Sequence, residues 1–148
     1  MPSTYIDLTV HIVFSTKNRQ PFLAESIADR THAYLGGTSR NLGATPLAIG
    51  GVADHVHILT GIGSTHKVAD LLKETKKTSL WWLRQEMGVK RFGWQEGYAA
   101  FSVSHERTAN VKKYIARQPE HHKTKTYIEE LVQLLDYVQI DHDPSYLL

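Results

Sequence analysis

The sequence predicts an α+β fold class: a ferredoxin-like, RRM-like βαββαβ antiparallel sheet followed by two C-terminal helices. Three observations carry that prediction. Apolar and polar residues alternate in short runs, the period of a half-buried strand. Apolar residues recur every three or four positions through two longer segments, the spacing of a helix with one buried face. These runs succeed one another as strand, helix, two strands, helix and strand, and two more helical segments follow. In that arrangement the first two helices cover one face of the sheet, and only the C-terminal helices or a partner can cover the other.

Tyr5 to Phe14 sets Leu8, Val10, Ile12 and Phe14 on one face of a first strand, with Asp7, Thr9, His11 and Val13 on the other. Ser15-Thr16-Lys17-Asn18-Arg19-Gln20-Pro21 is a polar, basic loop. From Leu23 the spacing of Leu23, Ile27, Tyr34 and Leu35 predicts a helix running to about Asn41, ended by Leu42-Gly43. Ala44 to Gly51 and His55 to Ile62 are two apolar strands joined as a hairpin by Val52-Ala53-Asp54. Gly61-Ile62-Gly63-Ser64-Thr65 breaks the second of them. Val68, Leu71, Leu72, Thr75, Ser79, Trp82 and Leu83 then mark a helix to about Met87, closed by Gly88. Phe92 to Ser104 predicts a fourth strand, rich in aromatic residues and carrying glycines that mark a bulge or a close approach. A third helix is expected from Glu106 to Gln118, where Pro119 ends or kinks it, and a fourth from Tyr127 to Val138 with Ile128, Leu131, Leu135 and Val138 as its stripe.

The chain has 148 residues, 41% of them hydrophobic, enough for one core and too few for two ordinary domains, so residues 1–148 read as a single domain. Lys and Arg total 17 against 15 Asp and Glu, a balance too even to argue for nucleic acid unless the cations are clustered. With no cysteine, a disulfide framework and a thiolate metal site are both excluded. No apolar run approaches the roughly 20 residues of a membrane span, and the N-terminus lacks a signal-peptide pattern, so a cytoplasmic location is expected.

Chemistry concentrates at Asp54-His55-Val56-His57. On a strand, His55 and His57 project together from one face while Val56 and Ile58 project from the other. Two adjacent imidazoles make half of a metal site, and a pair of solvated strand histidines is the plain alternative. In the third predicted helix Tyr114 and Gln118 are one turn apart on one face. A phenol with its pKa near 10 is a poor nucleophile, yet it attacks a phosphodiester when a cation polarises the phosphate. Gln118 could therefore join His55 and His57 around Mg²⁺ or Mn²⁺ with Tyr114 over the site. A helix whose tyrosine merely anchors on the sheet fits the same spacing.

The motifs together resemble a known family. His55-Val56-His57 matches the His-hydrophobic-His (HUH) motif, and Tyr114-Ile115-Ala116-Arg117-Gln118-Pro119-Glu120-His121-His122 matches a Tyr-Ile-x-x-Gln-x-x-His-His signature. His11 to Pro21 looks like the family's opening strand and loop, and Gly97 to Ser104 is similar to its aromatic strand. On these residues, spread over roughly positions 5 to 137, the chain resembles the single-tyrosine HUH transposases of small bacterial insertion sequences and their relatives associated with repetitive palindromic elements. The resemblance implies a homodimer with active sites shared between subunits, binding single-stranded DNA hairpins at element ends. It implies Tyr114 as the nucleophile that forms a 5′-phosphotyrosine and leaves a 3′-hydroxyl, with His55, His57 and Gln118 holding a divalent metal, Mg²⁺ or Mn²⁺.

Lys17 and Arg19 in the first loop and Lys73, Lys76, Lys77 and Arg84 on the second helix are candidates for contacts to a DNA backbone; a solvated helix face is the usual explanation of such charges, and only the family resemblance favours DNA. Trp81, Trp82 and Trp94 are candidates for base stacking, with Trp82 already on the apolar stripe. His11 reads as a neighbour of the histidine pair, Asp54 as a turn residue or a partner that orients an imidazole. His121 and His122 carry no role that spacing alone assigns. Two alternative functions stay open at this stage, a noncatalytic or domesticated single-strand-binding module of the same fold and a metal-dependent hydrolase.

Overall fold

A computed structural model describes residues 3–147. The strands are β1 (Leu8–Ser15), β2 (Thr45–Val52), β3 (His55–Ile62) and β4 (Ala99–Ser102). The helices are α1 (Glu25–Asn41), α2 (Val68–Gln85), α3 (Thr108–Ala116), α4 (Gln118–His121) and α5 (Tyr127–Tyr137). All strand pairs are antiparallel, in the order β2-β3-β1-β4, which is the order of the predicted βαββαβ fold. Among the described residues, no helix is long and apolar enough to cross a membrane.

Alternation along the strands divides the interior into two layers. Ile12, Phe14, Val56 and Ile58 point to one face, where Leu35 of α1 and Leu72 and Leu83 of α2 close over them. Fully burying each such side chain contributes about 1.5–3 kcal/mol relative to leaving it in water. Val13 and Phe101 point to the other face and pack against Tyr127, Leu131 and Leu135 of α5. The two faces expected for the strand residues are thus the observed ones, and α5 supplies the second cover.

The fourth strand is shorter than the Phe92 to Ser104 run predicts. Only Ala99–Ser102 pair with β1, together with a single bridge between Thr16 and Trp94. Gly97 at φ +84° breaks the extended path, and the aromatic residues before it are used as core: Phe92 is fully buried, and Trp94 packs edge-on against both Phe14 and Phe92. The segment is held from α2, where the Lys76 ammonium donates to the Gln95 and Gly97 carbonyls at 2.9 and 2.6 Å.

The helix expected over Glu106 to Gln118 is split. α3 ends at Ala116, Arg117 leaves the helical path, and α4 restarts at Gln118 with Pro119 in its first turn. Proline cannot donate an N–H and its ring clashes with the carbonyl four residues back, so Pro119 is tolerated only where a helix begins. In α5 the buried face is Tyr127, Glu130, Leu131 and Leu135, rotated from the predicted stripe, while Val138 lies beyond the helix and is exposed. A capping box fixes where the helix begins: Thr126 accepts from the Glu129 N–H and the Glu129 carboxylate accepts from the Thr126 N–H.

A glycine sets how close the tyrosine helix comes to the sheet. Gly50 of β2 pairs with His57 of β3. A Cβ on Gly50 would stand 2.7 Å from the Ile115 carbonyl oxygen and 2.9 Å from its Cγ2. The missing side chain is what lets α3 lie directly on β2.

Candidate active site and metal centre

The site forms where the sheet's second face meets the three C-terminal helices. β3 carries His55 and His57 to that face, and both rings are fully buried. α3 brings the half-buried Tyr114, α4 brings the buried Gln118, and α5 brings Glu130, which is 2% exposed although it is a carboxylate. A carboxylate is almost never buried this far without partners. Glu130 has five. Its Oε1 accepts from His57 Nε2 at 2.9 Å, lies 3.1 Å from His55 Nε2 and lies 3.2 Å from His122 Nε2. Its Oε2 accepts from Gln118 Nε2 at 2.7 Å and from the Tyr114 hydroxyl.

An outer ring of contacts orients the histidines. His55 Nδ1–H donates to the Asp54 carboxylate at 2.7 Å, and its Nε2–H faces Gln118 Oε1 at 3.0 Å as well as Glu130. His57 Nδ1 accepts from His11 Nε2 at 2.8 Å, with the two rings stacked at 5.0 Å. His122 Nδ1–H donates to the Lys125 carbonyl at 2.7 Å. The Tyr127 ring covers His55 from α5, its centroid 4.6 Å away.

Titration follows from these contacts. Burial alone would lower the His55 pKa, but hydrogen bonds to Asp54 and Glu130 and their charges outweigh it and raise it to about 9. For His57 burial wins despite Glu130, and the pKa falls. Burial and the charge of His57 together lower His11 to about 3. Burial opposes ionisation of Glu130, yet the hydrogen bonds from His55 and His57 prevail and hold it well below the usual carboxylate range. Burial, then the bond to Glu130, pushes the Tyr114 phenol up. In this arrangement Tyr114 is a protonated phenol whose hydroxyl is aimed by an ionised carboxylate.

The predicted site residues His55, His57, Tyr114 and Gln118 are thus gathered in one place within one chain. The predicted DNA-contact residues are not. Lys17 and Arg19 are exposed in the turn after β1, whose Thr16 N–H donates to the Asp54 carbonyl, at the same end of the sheet as His55. Lys73 and Lys77 are exposed on α2, in the layer across the sheet. Lys76 is bound to the 95–97 carbonyls, and Arg84 Nε donates to the Phe92 carbonyl at 2.7 Å, so both brace the segment leading to β4. Trp94 is core and donates to Ser79 Oγ at 3.0 Å, and Trp82 stacks on Tyr34. Trp81 alone of the three tryptophans is largely exposed, at 57%.

Sequence reasoning passed over Glu130 and left His122 without a role. A signal existed for Glu130. It lies three residues from Tyr127 and next to Leu131 on α5, so it belongs to the face that the helix buries, and a lone carboxylate on a buried stripe calls for a charged or hydrogen-bonding partner.

Residues 4–118 match the family described as "Transposase IS200 like". The ISDra2 transposase TnpA of Deinococcus radiodurans is 25% identical over 117 residues, covering 75% of this chain and 84% of that protein. Among solved structures, a Deinococcus radiodurans R1 protein assigned as a transposase superposes with a TM-score of 0.64 at 24% identity, over 80% of this chain and 95% of that one. A REP-associated tyrosine transposase bound to a REP hairpin superposes with a TM-score of 0.58 at 16% identity, over 82% and 73%. Both structural likenesses bear on the fold.

Proposed function

Because the chain belongs to the IS200-like transposase family, we propose that it is a single-tyrosine transposase that binds single-stranded DNA hairpins at the ends of a mobile element and cleaves and rejoins DNA strands through Tyr114. The observation that carries this reading is the convergence of Tyr114, His55, His57 and Gln118 on one buried carboxylate, Glu130. A structural tyrosine needs no such company.

In this reading Glu130 holds the Tyr114 hydroxyl in place, while Asp54 and His11 fix the planes of His55 and His57. The phenolic oxygen attacks the scissile phosphorus, a new O–P bond forms, and the bond to the 3′-oxygen breaks. The products are a 5′-phosphotyrosine and a free 3′-hydroxyl. Attack of a 3′-hydroxyl on the phosphotyrosine reverses the step, so bond energy is conserved and no external energy source is required.

The donor set fits a divalent cation. Imidazole nitrogens stand beside an amide oxygen and a carboxylate oxygen, a mixture that suits Mn²⁺ and, through its oxygens, Mg²⁺. His55, His57 and Gln118 would hold it. The cation would stabilise charge on the transferring phosphoryl group.

Lys17 and Arg19 flank the same end of the sheet and are the basic residues this reading assigns to the DNA backbone; Lys73 and Lys77 would serve only DNA that wraps to the far layer. Tyr114 reaches the histidines of its own chain, so each protomer of a dimer would carry a complete site. The test is incubation with Mn²⁺ and a labelled single strand bearing the element's terminal hairpin. A labelled protein band that survives denaturation and disappears in Tyr114→Phe is expected. Cleavage without that band would mean a hydrolase, and binding without cleavage a noncatalytic module. Mixing Tyr114→Phe with His57→Ala protein should restore nothing if the sites are complete within one chain.

A further inference from the structure

We propose that His122 and Glu130 are ligands of the divalent cation, so that the metal centre extends beyond the His-x-His pair and Gln118 onto α5 and the turn before it. This inference rests on the metal-dependent reading above. Its first support is placement: donor atoms of His55, His122 and Glu130 all lie within 4.8 Å of one another, a grouping that three side chains from β3, the end of α4 and α5 do not reach by sequence neighbourhood. His57 Nε2, though 2.9 Å from Glu130 Oε1, falls outside that group.

The second support is the state of the rings. A ligating histidine almost always donates its other N–H to a carboxylate or a carbonyl, which fixes the tautomer and turns the free nitrogen to the metal. His55 does so through Nδ1 to Asp54 at 2.7 Å, and His122 through Nδ1 to the Lys125 carbonyl at 2.7 Å. Both therefore present Nε2 to the same point, Glu130 Oε1, at 3.1 and 3.2 Å. Two imidazole nitrogens and a carboxylate oxygen thus converge in one buried space, donors of the kind that a divalent cation bound among them would engage.

The third support is rigidity. The ring of His122 lies against the ring of His55 with centroids 4.5 Å apart, and the Thr126–Glu129 capping box fixes the first turn of α5, so neither new ligand has to be recruited from a loose segment. A short move of the Glu130 carboxylate suffices to turn its Oε1 from hydrogen-bond acceptor to ligand.

Titration calorimetry of the full-length protein with Mn²⁺ alone tests this. Wild type should bind one ion; Glu130→Gln and His122→Asn should each weaken binding about 10-fold or more. Glu130 acting only as a counter-charge for the histidines predicts the opposite sign, because removing the carboxylate would free the imidazoles, so unchanged or tighter binding by Glu130→Gln overturns the proposal. Loss of binding in His55→Ala and His57→Ala with no change in either of the two variants would leave the His-x-His metal site standing and refute its extension. Failure of wild type to bind Mn²⁺, with or without hairpin DNA, would overturn both readings. Circular dichroism checks folding of Glu130→Gln, and should it fail to fold, His122→Asn decides the question.

Discussion

Gly50→Ala is a one-carbon change whose new Cβ meets Ile115 rather than Tyr114 or a histidine ring, and it should nonetheless slow the chemistry of the site. The new Cβ would lie 2.7 Å from the Ile115 carbonyl oxygen, against about 3.4 Å for ordinary contact, so α3 must move off β2 by about 0.7 Å. Ile115 is the residue after Tyr114, and Gly50 is paired with His57, so the displacement falls between the proposed nucleophile and a proposed metal ligand. Misplacing a reacting group by about 1 Å costs up to about 100-fold in rate. A tenfold to hundredfold slower formation of the covalent adduct on hairpin DNA is therefore expected. Overpacking of this kind costs about 1–3 kcal/mol, and a chain of this size loses about 2–4 °C of Tm per kcal/mol, so a fall of about 2–12 °C should accompany it. The Mn²⁺ affinity should stay within about threefold, since β3 is held by β1 independently of β2. Adduct formation at the wild-type rate in a protein with the lowered Tm would refute the link between helix approach and chemistry.

Lys76→Met should lower stability by about 1–2 kcal/mol, measured by urea unfolding, because the Gln95 and Gly97 carbonyls lose a charged donor. The salt dependence of DNA binding should keep its slope in that variant, whereas Lys17→Gln should reduce it by about 0.7 if Lys17 meets a phosphate of the single strand. In metal-free protein, stability should peak near neutral pH. His11 takes a proton in the unfolded chain near 6.5 but in the folded chain only near 3, so stability falls as pH drops through that window; His55 holds its proton to about 9, so its contribution is full below 6.5 and is lost as pH rises towards 9. A urea midpoint that rises steadily from pH 6.5 to 9 would contradict this.

Legibility in the sequence followed the range of the interactions. β3 was readable to the residue, His55–Ile62, because its apolar run is bounded by a turn and a glycine, and α1, β2 and α2 were readable to within two or three residues of their ends for similar reasons. The approach to β4 was misjudged because Phe92 and Trp94 alternate like a strand yet are core, with Trp94 held by Phe14 and Ser79 and the residues after it by Lys76, contacts that lie well away in sequence. His55 and His57 could be named from spacing because they share one face of β3, and Tyr114 and Gln118 because they lie four residues apart, although the break at Arg117 puts them on two helices, α3 and α4. Glu130 belongs to a different element, 73 positions from His57, and only the packing of α5 across the sheet reveals that the two meet.

The placement of Glu130 bears on how intact copies of such a sequence are told from decayed ones. The region that matches the family ends at Gln118, and it includes His55, His57, Tyr114 and Gln118. A copy shortened to that point would pass any inspection for those four residues. It would lack the carboxylate that aligns the Tyr114 hydroxyl and the Tyr127, Leu131 and Leu135 side chains that cover the second face of the sheet. On the proposed reading, a survey of genomes that scores the motifs alone would count such shortened copies as intact, and the discriminating character would be a single glutamate four positions into the last long helix.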